Sequence, residues 1–152
     1  MLTLFYPNQD GKQLYLADSF YWRYSYDTHG VRYRFHWVAG DYRHGANDIH
    51  GAYGQRLSAC YAGRIVWVDE GPAFGAHQFK IVDAFGREFH YKHTLDRPPN
   101  GERVEAGNHI CHLGASGLSS ASAAHLHFEI RTHNDKNAVI NPHEYLLAAR
   151  AR

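Results

Sequence analysis

Cysteine is scarce in this chain of 152 residues, with Cys60 and Cys111 as its two examples. They form no Cys-x-x-Cys pair, which excludes a zinc ribbon and a disulfide framework. Their settings, "LSACYAG" and "HICHLG", are small or apolar, so both are expected as buried free thiols, with a single disulfide as the alternative in an oxidising compartment. An excess of charge is also missing. Sixteen Lys and Arg stand against fifteen Asp and Glu, which gives no electrostatic basis for binding nucleic acid or an anionic membrane. No apolar run reaches the length of a membrane span. The opening "MLTLFYPNQDGK" carries no basic segment and no small-residue cleavage site, so it does not read as a signal peptide. Repeats, linkers and low-complexity segments are absent as well.

Histidine, glycine and aromatic residues are abundant: 13 His, 14 Gly, 11 Tyr, 8 Phe and 3 Trp. The length suits one domain with a sizeable core. Short runs alternate with period two between glycine-containing turns. These are "VRYRFHWV" (31–38), "GRIVWVDEG" (63–71), "HQFKIVDAFGREFHYKH" (77–93, turning at "DAFG"), "ERVEAGNHICHLG" (102–114) and "AHLHFEIR" (124–131). Such spacing predicts an all-β fold, mainly an antiparallel sheet with a sandwich-like core. Only "NPHEYLLAARAR" reads as a helix, with Pro142 near its start. "YSYDTHGVRY" adds a hairpin in the aromatic-rich segment 24–43, whose rings are expected to pack on the sheet.

The densest chemistry lies in "HLHFEIR". Period two puts His125, His127, Glu129 and Arg131 on one strand face, and Leu126, Phe128 and Ile130 on the other. Two imidazoles on one face are a candidate metal and proton-transfer edge, although His-x-His also occurs incidentally on exposed strands. A catalytic zinc needs three protein ligands and an open position. "HGAND" offers His44 and Asp48 four residues apart, in a loop that enters a strand. His93, in "FHYKHT", follows Phe89 and Tyr91 by alternation and should share their covered face, either satisfied locally or part of a site. Two metal readings fall away. "HEYLL" has Leu147 where the helical His-Glu-x-x-His motif needs its second histidine. "HICH" has alternation separating His109 and Cys111 from His112.

Together these segments resemble the lysostaphin-type, or LytM-domain, zinc metallopeptidases, which cut peptide cross-bridges or stem peptides of bacterial peptidoglycan. "DSFYWR" (18–23) resembles the family's opening, with Tyr21 in place of glycine. "HGANDI" resembles its His-x3-Asp segment, and "GQRLSACYAGRIVWV" (54–68) its Gly-rich central stretch. "YKHT" is similar to its Tyr-x-His-Leu, with Thr94 for leucine. "VEAGNHICHLGASG" (104–117), "HLHFEI" and "INPHEYL" (140–146) follow in family order. The resemblance spans residues 18–147 of a single domain 1–152. It departs at "LSSASAA" before "HLH", and at the extra hairpin at about 24–43.

The resemblance implies one zinc ion per chain held by His44, Asp48 and His127, with His93 and His125 as catalytic histidines that do not bind the metal. Glu129 and Arg131 could then orient an imidazole from behind. It also implies an endopeptidase whose partners are peptidoglycan peptides. Two alternatives stay open: a catalytically silent scaffold or activator of another wall hydrolase, and a zinc D-Ala-D-Ala carboxypeptidase. The expected place of action is the bacterial wall, in the periplasm or outside. Without a signal peptide, delivery as a phage lysin, as a tail component or by a tail-like secretion system is expected, with a phage-tail, secretion-system or immunity partner.

Overall fold

A computed structural model describes residues 2–16, 45–118, 120, 123–132 and 138–152, together with the backbone of 24–26 and 32–34. Among the described residues the fold is mostly antiparallel β-sheet with one short C-terminal helix, as the period-two pattern predicts. The strands are β1 (Tyr24–Tyr26), β2 (Arg32–Arg34), β3 (Asn47–His50), β4 (Arg56–Ser58), β5 (Gly63–Trp67) and β6 (Phe79–Val82). They continue as β7 (Glu88–Lys92), β8 (Arg103–Val104), β9 (His109–His112), β10 (His125–Arg131) and β11 (Val139–Ile140), before helix α1 (His143–Ala151). Seven strands make the main sheet in the order β11-β10-β7-β6-β5-β8, with β3 also paired to β10. The far edge of β10 is therefore shared, β3 against its first half and β11 against its last residues. A second pair, β4–β9, stands apart, as does the β1–β2 pair. The remainder of the predicted hairpin segment, 27–31 and 35–43, lies outside the described residues.

Alternation builds the core. Ile49, Ile65, Phe79, Ile81, Phe89, Tyr91, Leu126, Phe128 and Ile130 are all fully buried and come from β3, β5, β6, β7 and β10. Leu57, Cys111 and Leu113 from the β4–β9 side, and Leu2, Leu4 and Tyr6 from the N-terminal segment, join the same cluster. The "DAFG" turn forms as expected. Asp83 Oδ1 accepts from the backbone N–H of Phe85 (2.9 Å) and Arg87 (2.8 Å), and Gly86 takes the positive φ of 80° that closes it. In α1, Pro142 occupies the N-cap, where its missing N–H costs nothing. Among the described residues no helix is long and apolar enough to cross a membrane.

Cys60 and Cys111 are free and buried. Burial pushes the Cys60 thiol up to about 12 and the Cys111 thiol well above its ordinary range, so neither is a ready nucleophile. One expectation about β9 needs correcting. The pairing of β4 with β9 shifts between Leu57 and Ser58, and this irregularity breaks the alternation. The His109 and His112 rings come together edge-on, 4.8 Å between centroids, instead of being separated. Cys111 still turns into the core, so the pair gains no thiolate.

Tyr91 joins the two layers. Its ring stacks on Phe79 at 4.9 Å and meets Phe128 edge-on at 5.6 Å. Its hydroxyl donates to the Ser58 carbonyl (2.8 Å) and accepts from the Cys60 N–H (2.9 Å). Tyr91→Phe keeps the packing and takes away both bonds in a buried place, so it should destabilise the fold by about 1–3 kcal/mol. Urea unfolding of the variant checks this, and a midpoint equal to wild type would show that the hydroxyl bridge is idle.

Candidate functional site

The polar face of the main sheet is built by register. His127 lies opposite Asp48 on β3 and opposite Lys92 on β7, while His125 lies opposite His50. Glu129 faces His90, and Arg131 faces Glu88. All these side chains emerge from the side of the sheet away from Phe128 and Tyr91. That face is covered, not a solvated strand surface. His127 is 6% exposed, Glu129 5% and Lys92 1%.

His93 reaches the same place by breaking the alternation. Strand β7 ends at Lys92, and His93 has φ of 66°, the left-handed region that histidine enters more readily than most side chains. This corrects the expectation that His93 shares the face of Phe89 and Tyr91. Its ring instead sits 4.9 Å from His125 and 5.9 Å from His127, edge-on to both. The surroundings enforce the conformation. The His93 N–H donates to the Phe74 carbonyl at 3.0 Å. Gly114 packs so closely that a Cβ there would lie 2.9 Å from the His93 carbonyl oxygen.

Three of the predicted residues converge on one point. Asp48 Oδ1 lies 3.5 Å from His125 Nε2 and 3.7 Å from His127 Nδ1. Ligand atoms of a tetrahedral zinc stand about 3.4 Å apart, given bonds of about 2.0–2.1 Å. His44 lies outside the described residues. The second nitrogen of each ring then fixes its tautomer. His125 Nδ1 is 2.8 Å from the Ala123 carbonyl, and His93 Nδ1 is 2.8 Å from the Ser116 carbonyl. A carbonyl can only accept, so each Nδ1 carries a proton, and in the neutral ring Nε2 is the nitrogen left with a lone pair. His127 is turned the other way. Its Nε2 donates to Glu129 Oε2 at 3.2 Å, leaving Nδ1 with its lone pair towards Asp48.

Behind His127 lies a network that sequence patterning could not assemble. Glu129 Oε2 also accepts from Lys92 Nζ (2.6 Å), and Glu129 Oε1 from Arg131 Nη2 (2.9 Å). Glu70, from the loop after β5, takes Arg131 with both oxygens (2.8 and 2.7 Å) and Lys92 with one (2.6 Å). Burial alone would raise the Glu129 carboxyl, but the His127 bond and the charges of Lys92 and Arg131 hold it well below the usual range. Burial lowers the His93 imidazole to about 4, against the opposing pull of the Ser116 carbonyl. His93 is therefore neutral at physiological pH.

Glu70, His90 and Glu129 also stand close enough together to share an ion. Lys92 and Arg131 already supply the positive charge there, and His90 Nε2 turns to Glu88 at 2.9 Å. The group is an ion-pair network, not a second metal centre.

Phe74 closes the site from above. A 3-10 turn, Pro72–Phe74, carries it to 5.2 Å from the His127 ring and 4.0 Å from Lys92 Nζ, and no periodic pattern announced it. The turn packs on the loop after β9. A Cβ at Gly117 would fall 2.5 Å from the Ala73 carbonyl oxygen, so glycine is required at that crossing.

With this geometry in hand, the comparisons define a class. The profile of peptidase family M23 matches residues 42–142, more than half of the chain, and the chain belongs to that family, a family of zinc metallopeptidases. The lysostaphin-type resemblance of the sequence is thereby confirmed. The antimicrobial peptidase lysostaphin from Staphylococcus simulans is similar at 28% identity and a TM-score of 0.59, covering 72% of this chain and 47% of that one. This chain thus spans about half the length of that protein. A mutant catalytic domain of the prophage-encoded M23 protein EnpA from Enterococcus faecalis is similar at 25% identity and a TM-score of 0.58, covering 70% and 80%. A zinc-containing peptidase from Vibrio cholerae shares the fold at 20% identity and a TM-score of 0.65, covering 91% of this chain and 39% of that one. The search of curated proteins returned no match.

The Glu70 carboxyl is held down to about 2, first by its bonds from Arg131, against burial, and then by Lys92. A depressed carboxyl contributes stability that is complete above its unfolded pKa near 4.5 and disappears as pH falls towards 2. Glu70→Gln should therefore melt below wild type at neutral pH, with the gap narrowing between pH 4.5 and 2. Thermal melts across that range measure it. A gap that stays constant would mean that Glu70 contributes nothing through its charge.

Proposed function

We propose that the chain is a zinc-dependent endopeptidase of bacterial peptidoglycan, cutting cross-bridge or stem peptides. The observation that carries this reading is the convergence of His125 Nε2 and His127 Nδ1 on Asp48 Oδ1, with the His93 ring packed against both histidines. Asp48 and His127 are two of the proposed ligands, and His44 is the third, by the His-x3-Asp pattern. Zinc bound there would supply a Lewis acid and a water activated at neutral pH.

The role of each histidine follows from what holds its other nitrogen. His127 is backed by the carboxylate of Glu129, an arrangement that raises ligand basicity and fixes the ring at a metal. His125 and His93 are backed by neutral carbonyls, which set the tautomer and leave Nε2 to accept a proton. His125 Nε2 would take the proton of the attacking water and then return it to the leaving amine. Neutral His93, packed edge-on against His125, would hold that ring in place for the transfer.

The wall is the proposed place of action, in the periplasm or outside the cell. Peptidoglycan peptides are the proposed partners, and a phage-tail, secretion-system or immunity partner is proposed with them.

Zinc content measured beside hydrolysis of purified sacculi tests the assignment. His127→Ala should lose both metal and activity. His125→Ala should keep close to one zinc per chain while hydrolysis falls by about 10²–10⁴-fold. Loss of zinc from the His125 variant, with retention in the His127 variant, would reverse the two roles. Mild effects of both changes would remove the site altogether.

A further inference from the structure

The site continues past the residues assigned so far. From Phe74, ring centroids follow one another at 6.1 Å to His93, 4.9 Å to His125, 6.0 Å to His50 and 5.6 Å to Tyr15. The row crosses the strands. His93 follows β7, His125 begins β10 and His50 ends β3. Tyr15 lies outside that edge, tied to it because the His50 N–H donates to the Tyr15 carbonyl (3.2 Å) and Leu16 bridges to Ile49. From His93 outward, exposure rises. His93 is buried, His125 and His50 are half-buried, and Tyr15 is 70% exposed.

Beside it, Asp48 and His127 occupy the neighbouring register positions. Neither His50 nor Tyr15 has a part in the proposed chemistry. An exposed tyrosine leaning on a histidine, next to the ring that meets the scissile bond, needs a different account. Packing does not supply one, since most of the phenol ring faces solvent.

We infer that His50 and Tyr15 form a substrate subsite, a ledge that carries the peptide on one side of the bond cleaved beside His125. This inference rests on the endopeptidase reading and names where its substrate lies. The peptide would run across the strands. At about 3.4 Å per residue, the whole row can lie along at most about six residues of extended chain. The exposed part, from His125 to Tyr15, matches two or three. Its ring faces suit uncharged peptide units with small side chains, which let the planar amides settle on the rings. An aromatic contact of this kind, worth about 0.5–1.5 kcal/mol, changes affinity roughly 2- to 12-fold.

The test uses the full zinc-loaded chain and cross-linked muropeptide dimers released by a muramidase from Gram-positive and Gram-negative sacculi. Tyr15→Ala should raise KM for the dimers by roughly 3- to 10-fold with kcat within about twofold, and Tyr15→Phe should restore KM. Binding is read separately in a His93→Asn background, where asparagine tolerates the left-handed backbone and cleavage is suppressed. There, Tyr15→Ala should weaken the dissociation constant by the same factor.

Parent protein that binds the dimers, with Tyr15→Ala unchanged in both KM and dissociation constant, overturns the ledge and leaves the endopeptidase reading standing. Parent protein that neither binds nor cuts any dimer overturns both. A fall in kcat with KM unchanged would place Tyr15 in the chemistry and also overturn the subsite.

Discussion

The site depends on one constraint: each of His93, His125 and His127 is tied through one nitrogen to a group that can only accept a hydrogen bond. Ala123, Ser116 and Glu129 supply those acceptors, so His125, His93 and His127 all turn a lone pair towards the same small volume. An untied imidazole exchanges its proton between nitrogens and rotates about χ2. It would spend much of its time presenting an N–H where a metal or a transferable proton needs a lone pair. The difference among the three acceptors carries the proposed difference in role. A carboxylate backs the ring that faces Asp48 with Nδ1, and backbone carbonyls back the two that face it, or each other, with Nε2.

Glu129 can serve in this way only because Lys92 and Arg131 neutralise it. Those cations in turn share Glu70, so two acids and two bases lie together behind the ligand, nearly all of them buried. Desolvating three charges, those of Lys92, Glu129 and Arg131, is expensive, and a hydrophobic replacement of such a network is often no less stable. The network is better understood as positioning. It holds one imidazole against a carboxylate of fixed charge and leaves few other arrangements for the ring. Phe74 lies across Lys92 and His127 and keeps bulk water from competing for the same bonds.

What could be read from the sequence was what strand periodicity governs. In β10, Leu126, Phe128 and Ile130 fill the core while His127 and Glu129 line the opposite face, as the alternation says. The "DAFG" turn and the C-terminal helix were equally plain, because their signals are local. His93 was misplaced because a single left-handed residue undoes period two, and nothing within "FHYKHT" shows that Phe74 and Ser116 will hold it there. The His109–His112 contact was missed for a related reason, since the pairing shift that causes it belongs to two strands at once. Glu70 and Phe74 had no sequence signal at all. Each sits in a loop, and their relation to Lys92 and His127 exists only after β5, β7 and β10 have paired.

The placement of the site at the end of strands has a physical reason. Within a sheet, each backbone group is paired and each side chain is held at a fixed spacing, which suits a ligand cage but leaves no room for a substrate. At the start of β10 the pairing with β7 stops at Lys92, while β3 continues to His50 on the other side. The sheet therefore offers rigid positions for Asp48 and His127 and, two residues further, an open end where His125 is half-buried. His93 is brought to that end by leaving the strand pattern altogether. The result joins a buried, preorganised half, which suits the proposed metal site, to a half-exposed row of rings, which suits the proposed peptide substrate. Reversing the proposed roles of His125 and His127 would suit neither half, because the buried position has the carboxylate and the open one has the access.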